Sequence, residues 1–202
     1  MPRPPQGYGR ERQRGIRRFR RRIVIAAEGT DSEPEYFDLF RGGDTVVQVT
    51  CIRGGGAPRQ VLRQMRDYLG QNPLGPEDQA WLVTDRDAWT DEQLRDLHAW
   101  TTKDPRHHFA LSNPKFEYWL LLHFEDGNGI AHAREVDERL RRHLPRFDKH
   151  ISERDFTEAR ITEAVARAER RDRPPTTTWP QAVGTTVYRI IKAIRSGQPE
   201  PT

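Results

Sequence analysis

A chain of 202 residues with 34% hydrophobic and 32% charged content is long enough for one domain with a real core, accompanied by solvated helices. No stretch is long and apolar enough to span a bilayer, no apolar run follows the basic N-terminal residues as in a secretory signal, and the single cysteine, Cys51, rules out an internal disulfide and a cysteine-based zinc cluster. The expected location is therefore cytoplasmic, and the net charge of +4 is unevenly spread, with +8 on residues 1–22 and −4 on the rest.

Residues 1–22 hold nine arginines against Glu11 and form a basic arm, over residues 1–21, that runs into a strand. Arginine-rich arms bind phosphates by displacing counterions. Arg17, Arg18, Arg20, Arg21 and Arg22 are thus candidate nucleic-acid contacts; a solubilising tail is the plainer alternative. The apolar run from Ile23 to Ala27 reads as a buried strand. Ser32-Glu33-Pro34-Glu35 has the Ser-x-x-Glu spacing of a capping box, which starts a helix carrying Tyr36, Phe37, Leu39 and Phe40. A second strand is expected over 45–52, then a glycine turn at 54–56 and a helix with Val61, Leu62, Met65, Tyr68 and Leu69 on one face. Ala80 to Val83 forms a third strand running into Thr84-Asp85-Arg86-Asp87, followed by a helix through Leu94, Leu97 and Trp100. Phe109 to Leu111 is the fourth strand, and Ser112-Asn113-Pro114 opens a helix reaching Phe124. This alternation predicts an α/β fold with a mostly parallel sheet flanked by helices over residues 22–130. After Gly129 strand signals cease. Helices over 132–145, 155–171 and 185–196, with a Pro-rich linker around Trp179, make a C-terminal helical extension over 131–197, and 198–202 reads as a disordered tail.

Carboxylates sit where strands end, which is where ligand sites form in open α/β sheets. Glu28 follows the first strand; Asp85 and Asp87 follow the third. Residues i and i+2 of an extended segment project to one side, so the two aspartates can share a divalent cation. Mg²⁺ takes a few carboxylates together with water and phosphate, a set suited to phosphoryl chemistry. The bland reading is that turn aspartates cap helices.

The run from Ile23 to Phe37, the Asp85-Arg86-Asp87 segment, and above all Leu111-Ser112-Asn113-Pro114-Lys115-Phe116-Glu117-Tyr118-Trp119-Leu120-Leu121-Leu122-His123-Phe124 resemble the RloB-like family. Phe147-Asp148-Lys149 and Gly184 to Val187 are similar to its later marks, so the resemblance covers roughly residues 20–195. Thr30 departs from the charged residue often found there. That family looks like a branch of the Toprim superfamily of primases, topoisomerases and nucleases. The resemblance implies a Toprim-like (Rossmann-like) domain, with Glu28 as general acid/base or metal ligand and Asp85 and Asp87 as ligands of Mg²⁺, for which Mn²⁺ can substitute. It also implies a role in antiphage defence; with no separate ATPase or sensor domain read in the chain, an ATPase or sensor protein is the expected partner that triggers it.

Further candidates carry two readings each. Glu117, on an otherwise apolar helix, either completes the metal site or forms a buried ion pair with Arg86 or Lys115. Asn113 contacts substrate or caps a helix. Glu33 supports the site or simply stabilises a helix N-terminus. Lys149 neutralises phosphate charge or is solvated. The histidines lack zinc spacing, and Gly54-Gly55-Gly56 lacks the Lys-Ser/Thr of a P-loop. The leading expectation is a Mg²⁺-dependent endonuclease acting on RNA or DNA; the alternative is a non-catalytic nucleic-acid-binding subunit of a defence complex. A homo-oligomer stays open, and no membrane association is expected.

Overall fold

A computed structural model of the chain describes residues 21–42, 47–86 and 89–196. Arg17, Arg18, Arg20 and Asp87, together with most of the arm and the terminal tail, lie outside these residues. Five strands form one sheet: β1 (Arg21–Ala27), β2 (Val47–Ile52), β3 (Gln79–Asp85), β4 (His107–Asn113) and β5 (Gly184–Thr185). Their order is β2-β1-β3-β4-β5. The first four run parallel and β5 is antiparallel to β4. The α/β class read from the sequence is the class observed.

Strand alternation divides the core. Ile23, Ile25 and Ala27 of β1, with Trp81 and Val83 of β3, face one side. Val24, Ala26, Ala80 and Leu82 face the other. Because both faces are covered, β1 reads as a continuous apolar run and not an alternating one. On the second face lie α2 (Pro58–Gln71) and α3 (Asp91–Thr101), through Val61, Met65, Leu94 and Leu97. The first face is covered by α1 (Ser32–Asp38), α4 (Phe116–Leu121), α5 (Ala133–His143), α6 (Glu158–Arg171) and α7 (Tyr188–Arg195). The C-terminal helices therefore share a core with β1 and β3 through Val136, Leu140, Ile161, Ile190 and Ile191. Cys51 is buried on this face, and burial pushes its thiol up to about 12, which makes it an inert core residue. His123 is likewise buried, bonds Tyr36 Oη at 2.9 Å, and is pushed down by burial to about 3.

Four local expectations are corrected. Ser32 is not a cap: α1 has no side-chain cap, and Ser32 and Glu35 reach a distant loop. A true capping box opens α3, where Thr90 Oγ1 accepts from Gln93 N. The helix expected to open at 112–114 instead begins at Phe116, since pairing with Gly184 of β5 and the proline after it keep Asn113 extended. Strand structure resumes after Gly129, as Thr185 and Gly184 pair with Ser112 and Asn113. The segment around Trp179 is more than a linker, because Trp179 crosses to the α2/α3 face and packs edge-on to Phe109. Among the described residues no helix is long and apolar enough to cross a membrane.

Candidate active site

The carboxyl ends of β1, β3 and β4 open on a cleft of about 310 Å³. The β1 chain continues past its strand: Glu28 N donates to Val83 O at 3.0 Å. This fixes the Glu28 side chain between two strand ends. Its Oε2 accepts from Asp85 N at 3.1 Å and its Oε1 from Trp89 Nε1 at 2.8 Å. From the other side the glycine turn closes in, with Gly56 N donating to Glu28 O at 2.8 Å. Gly55 has φ +62°, and a Cβ there would lie 2.6 Å from the Glu28 carbonyl oxygen. Only glycine permits both that conformation and that approach.

Glu28, Glu33, Asp85, Glu117, Lys115 and Lys149 line this cleft together. Glu33 is 6% exposed, and its Oε1 accepts from Gly29 N at 2.9 Å. Burial, reinforced by the charges of Glu117 and Glu28 and opposed by main-chain hydrogen bonds, pushes its carboxyl up to about 7. Glu117 stands in the first turn of α4 with Lys115 Nζ at 3.7 Å. Lys115 also pairs with Asp137 at 3.0 Å. Burial alone would lower the Lys115 ammonium, but Glu117, Asp137 and Asp85 outweigh it and hold its pKa above the usual value. Arg86 turns away to Asp91 at 2.7 Å, so the ion-pair partner of Glu117 is Lys115 and not Arg86. Lys149 is exposed, with φ +77°.

Other sequence candidates sit elsewhere. Asn113 Nδ2 donates to Pro180 O and Gln181 O at 3.2 Å, so it ties β4 to that segment and neither caps a helix nor enters the cleft. Arg21 donates to Ala193 O and Ser196 Oγ, and Arg22 pairs with Asp78 at 2.7 Å. Both lie at the start of β1, about 20 Å along the strand from Glu28, and act as braces of the fold. Lys115 and Trp89 were missed as site residues. The signal for Lys115 was its place just past a strand end, but it is readable only once β4 is known to reach Asn113.

The cleft offers hard oxygen donors, the chemistry Mg²⁺ and Mn²⁺ prefer, and Mg²⁺ needs only one or two protein carboxylates beside water and phosphate. Among the described residues, which exclude Asp87, no three His, Cys, Asp or Glu side chains form a ready-made metal cage.

No curated protein and no solved structure matches the chain. The family model described as RloB-like protein matches residues 23–194, from the first core residue of β1 to the last buried residue of α7. The chain belongs to the RloB-like family.

Proposed function

We propose that the protein is a Mg²⁺-dependent nuclease of Toprim type that cuts RNA or DNA, in the antiphage setting that its family resemblance implies. The observation that carries this reading is the Glu28 carboxylate held between the ends of β1 and β3, beside Asp85 in a cleft that two lysines also line. Glu28 and Asp85, with Asp87 by resemblance, would hold the cation. Bound there, Mg²⁺ or Mn²⁺ supplies the positive charge that activates a water and stabilises a leaving oxygen. Around it, Glu33 can hold or release a proton near neutral pH. Glu117 keeps Lys115 charged at the cleft wall. Lys115 and Lys149 meet the anionic phosphodiester. An ATPase or sensor protein as activating partner belongs to the same reading.

The Glu28 carboxylate is satisfied by the Asp85 amide and the Trp89 indole without any ion, which favours a second reading, a nucleic-acid-binding subunit whose acids are structural. The two part on one experiment. Purified protein is incubated with total RNA and with DNA, each with Mg²⁺, Mn²⁺ or chelator, and product ends are sequenced. Chelator-sensitive cleavage at recurrent ends is the expected result. Intact substrates under every condition, with retained binding and no Mn²⁺ taken up by the complex, would leave the binding subunit.

A further inference from the structure

A second cleft adjoins the acidic one. Its volume is about 320 Å³, within the ~300–1,000 Å³ typical of small-ligand pockets. It shares Lys115, Glu117 and Lys149 with the first, so the two clefts adjoin at these residues. Its character differs. Leu140 and the half-buried Phe147 give it an apolar floor, and the exposed Arg141 and Lys149 stand on its rim beside Asp148. Asp137, which also lines it, pairs with Lys115 at 3.0 Å.

We propose that this second cleft is a subsite for the base of the nucleotide flanking the scissile phosphodiester in a single-stranded nucleic acid; the assignment rests on the nuclease reading. A polynucleotide alternates anionic phosphate and flat base. An acid-lined cleft for metal and phosphate, an ammonium wall, and then an aromatic-floored cleft repeat that alternation. A base enters such a cleft only when unstacked from a duplex, and aromatic side chains accept any base by its face.

The shared wall is held by a clamp. Ser32 Oγ donates to Lys149 O at 3.2 Å, and Glu35 accepts from Ile151 N at 2.8 Å and His150 Nδ1 at 2.9 Å. A non-glycine residue at φ +77° persists only where its surroundings hold it. The first turn of α1 thus positions Lys149 between the clefts, and Glu35 is a positioning residue.

The test is fluorescence anisotropy with the full chain, Ca²⁺ replacing Mg²⁺, and a short labelled single strand or its duplex. Phe147→Leu keeps apolar packing but removes the ring, and should weaken single-strand binding at least about fivefold. Arg141→Glu, on the exposed face of α5, cannot disturb the core; it should weaken single-strand binding and reduce its salt slope by about 1. Duplex affinity should change far less with Phe147→Leu. Glu35→Ala should weaken single-strand binding as Lys149→Ala does, with little further loss when combined. Unchanged single-strand affinity in Phe147→Leu and Arg141→Glu would overturn the subsite. Equal losses for strand and duplex would also overturn it, leaving a general basic surface. Additive losses for Glu35 and Lys149 would overturn the clamp. Titration of the strand-bound wild type with Mn²⁺ keeps the two readings apart: ring-dependent strand binding without Mn²⁺ binding would remove the nuclease and leave a base-binding cleft.

Discussion

The two ends of the sheet treat charge in opposite ways. Where the strands begin, charges are matched one to one. Arg22 meets Asp78 at 2.7 Å and Arg106 meets Asp104 at 2.6 Å. His107 stacks on Trp100 at 3.8 Å and His108 on Trp81 at 4.5 Å. Burial alone would raise the Asp78 carboxyl, but hydrogen bonds from Gly75 and Arg22 outweigh it and hold it below the usual range. Where the strands end, Glu28, Glu33, Asp85 and Glu117 line one cleft with two lysines, and Glu33 is pushed up to about 7. One end is arranged for stability. The other holds like charges together at a cost to stability, the usual mark of a site.

The sharpest break in that contrast is Asp85→Asn. It keeps the size of the side chain and removes the charge that the proposed cation site requires. Cleavage should be abolished while the melting curve stays that of the wild type. An unfolded variant would make Asp85 a structural acid, and an active one would remove it from the cation site.

Glu33→Gln probes the cost. A carboxyl whose folded pKa is raised binds more protons in the folded state, so its contribution is full below about 4.5 and lost as pH rises toward about 7. The chelator-treated wild type should therefore lose stability across that window, by at most roughly 3 kcal/mol. Glu33→Gln should flatten the decline, measured by denaturant unfolding at several pH values. A parallel curve would mean that Glu33 is not strained by its neighbours.

Asp78→Ala tests the opposite end. Asp78 accepts from Gly75 N, Arg22 N and Arg22 Nε at 2.7–2.8 Å. Losing it strands those partners and should cost about 2 kcal/mol, with no change in turnover per folded molecule. The Asp78 contribution is present above the unfolded pKa and lost as pH falls through the depressed folded one. Stability of the variant should therefore approach that of the wild type in acid. A loss of turnover would show that the ends are coupled.

How much of this was legible depends on how local each cause is. β1 and β3 announce themselves by apolar runs, and Glu28 and Asp85 by following them directly. Ser32-x-x-Glu35 misleads because its partners lie more than a hundred residues away, at Lys149 and Ile151. Local spacing cannot distinguish a cap from a clamp. β5 has two residues, too few for any period. Trp179 sits among prolines and carries no periodicity, and only the packed α2/α3 face explains it. Arg21 and Arg22 looked like the end of the arm because charge is visible in sequence and its partners, Ser196 and Asp78, are not.

That last point sharpens the smallest effect on chemistry. With Arg21 and Arg22 engaged by the fold, seven arginines remain in residues 1–20 to meet phosphate, opposed by Glu11. Neutralised phosphates release counterions, and for a single strand each contributes about 0.7 to the slope of log affinity against log salt. Deleting residues 1–20 should therefore weaken binding at low salt and reduce that slope by at most about 5. The fold should survive, since β1 and its braces remain. Turnover at saturating substrate should change little, because binding that is equal in ground and transition states does not alter the chemical step. Affinities of full and shortened chains over a salt series, beside turnover at saturation, decide it. Equal slopes would make the arm a solubilising tail and move phosphate binding onto the body, where Arg139, Arg141, Arg142 and Arg146 are the arginines to replace next. A collapse of turnover with unchanged slope would instead place part of the arm at the functional end of the sheet.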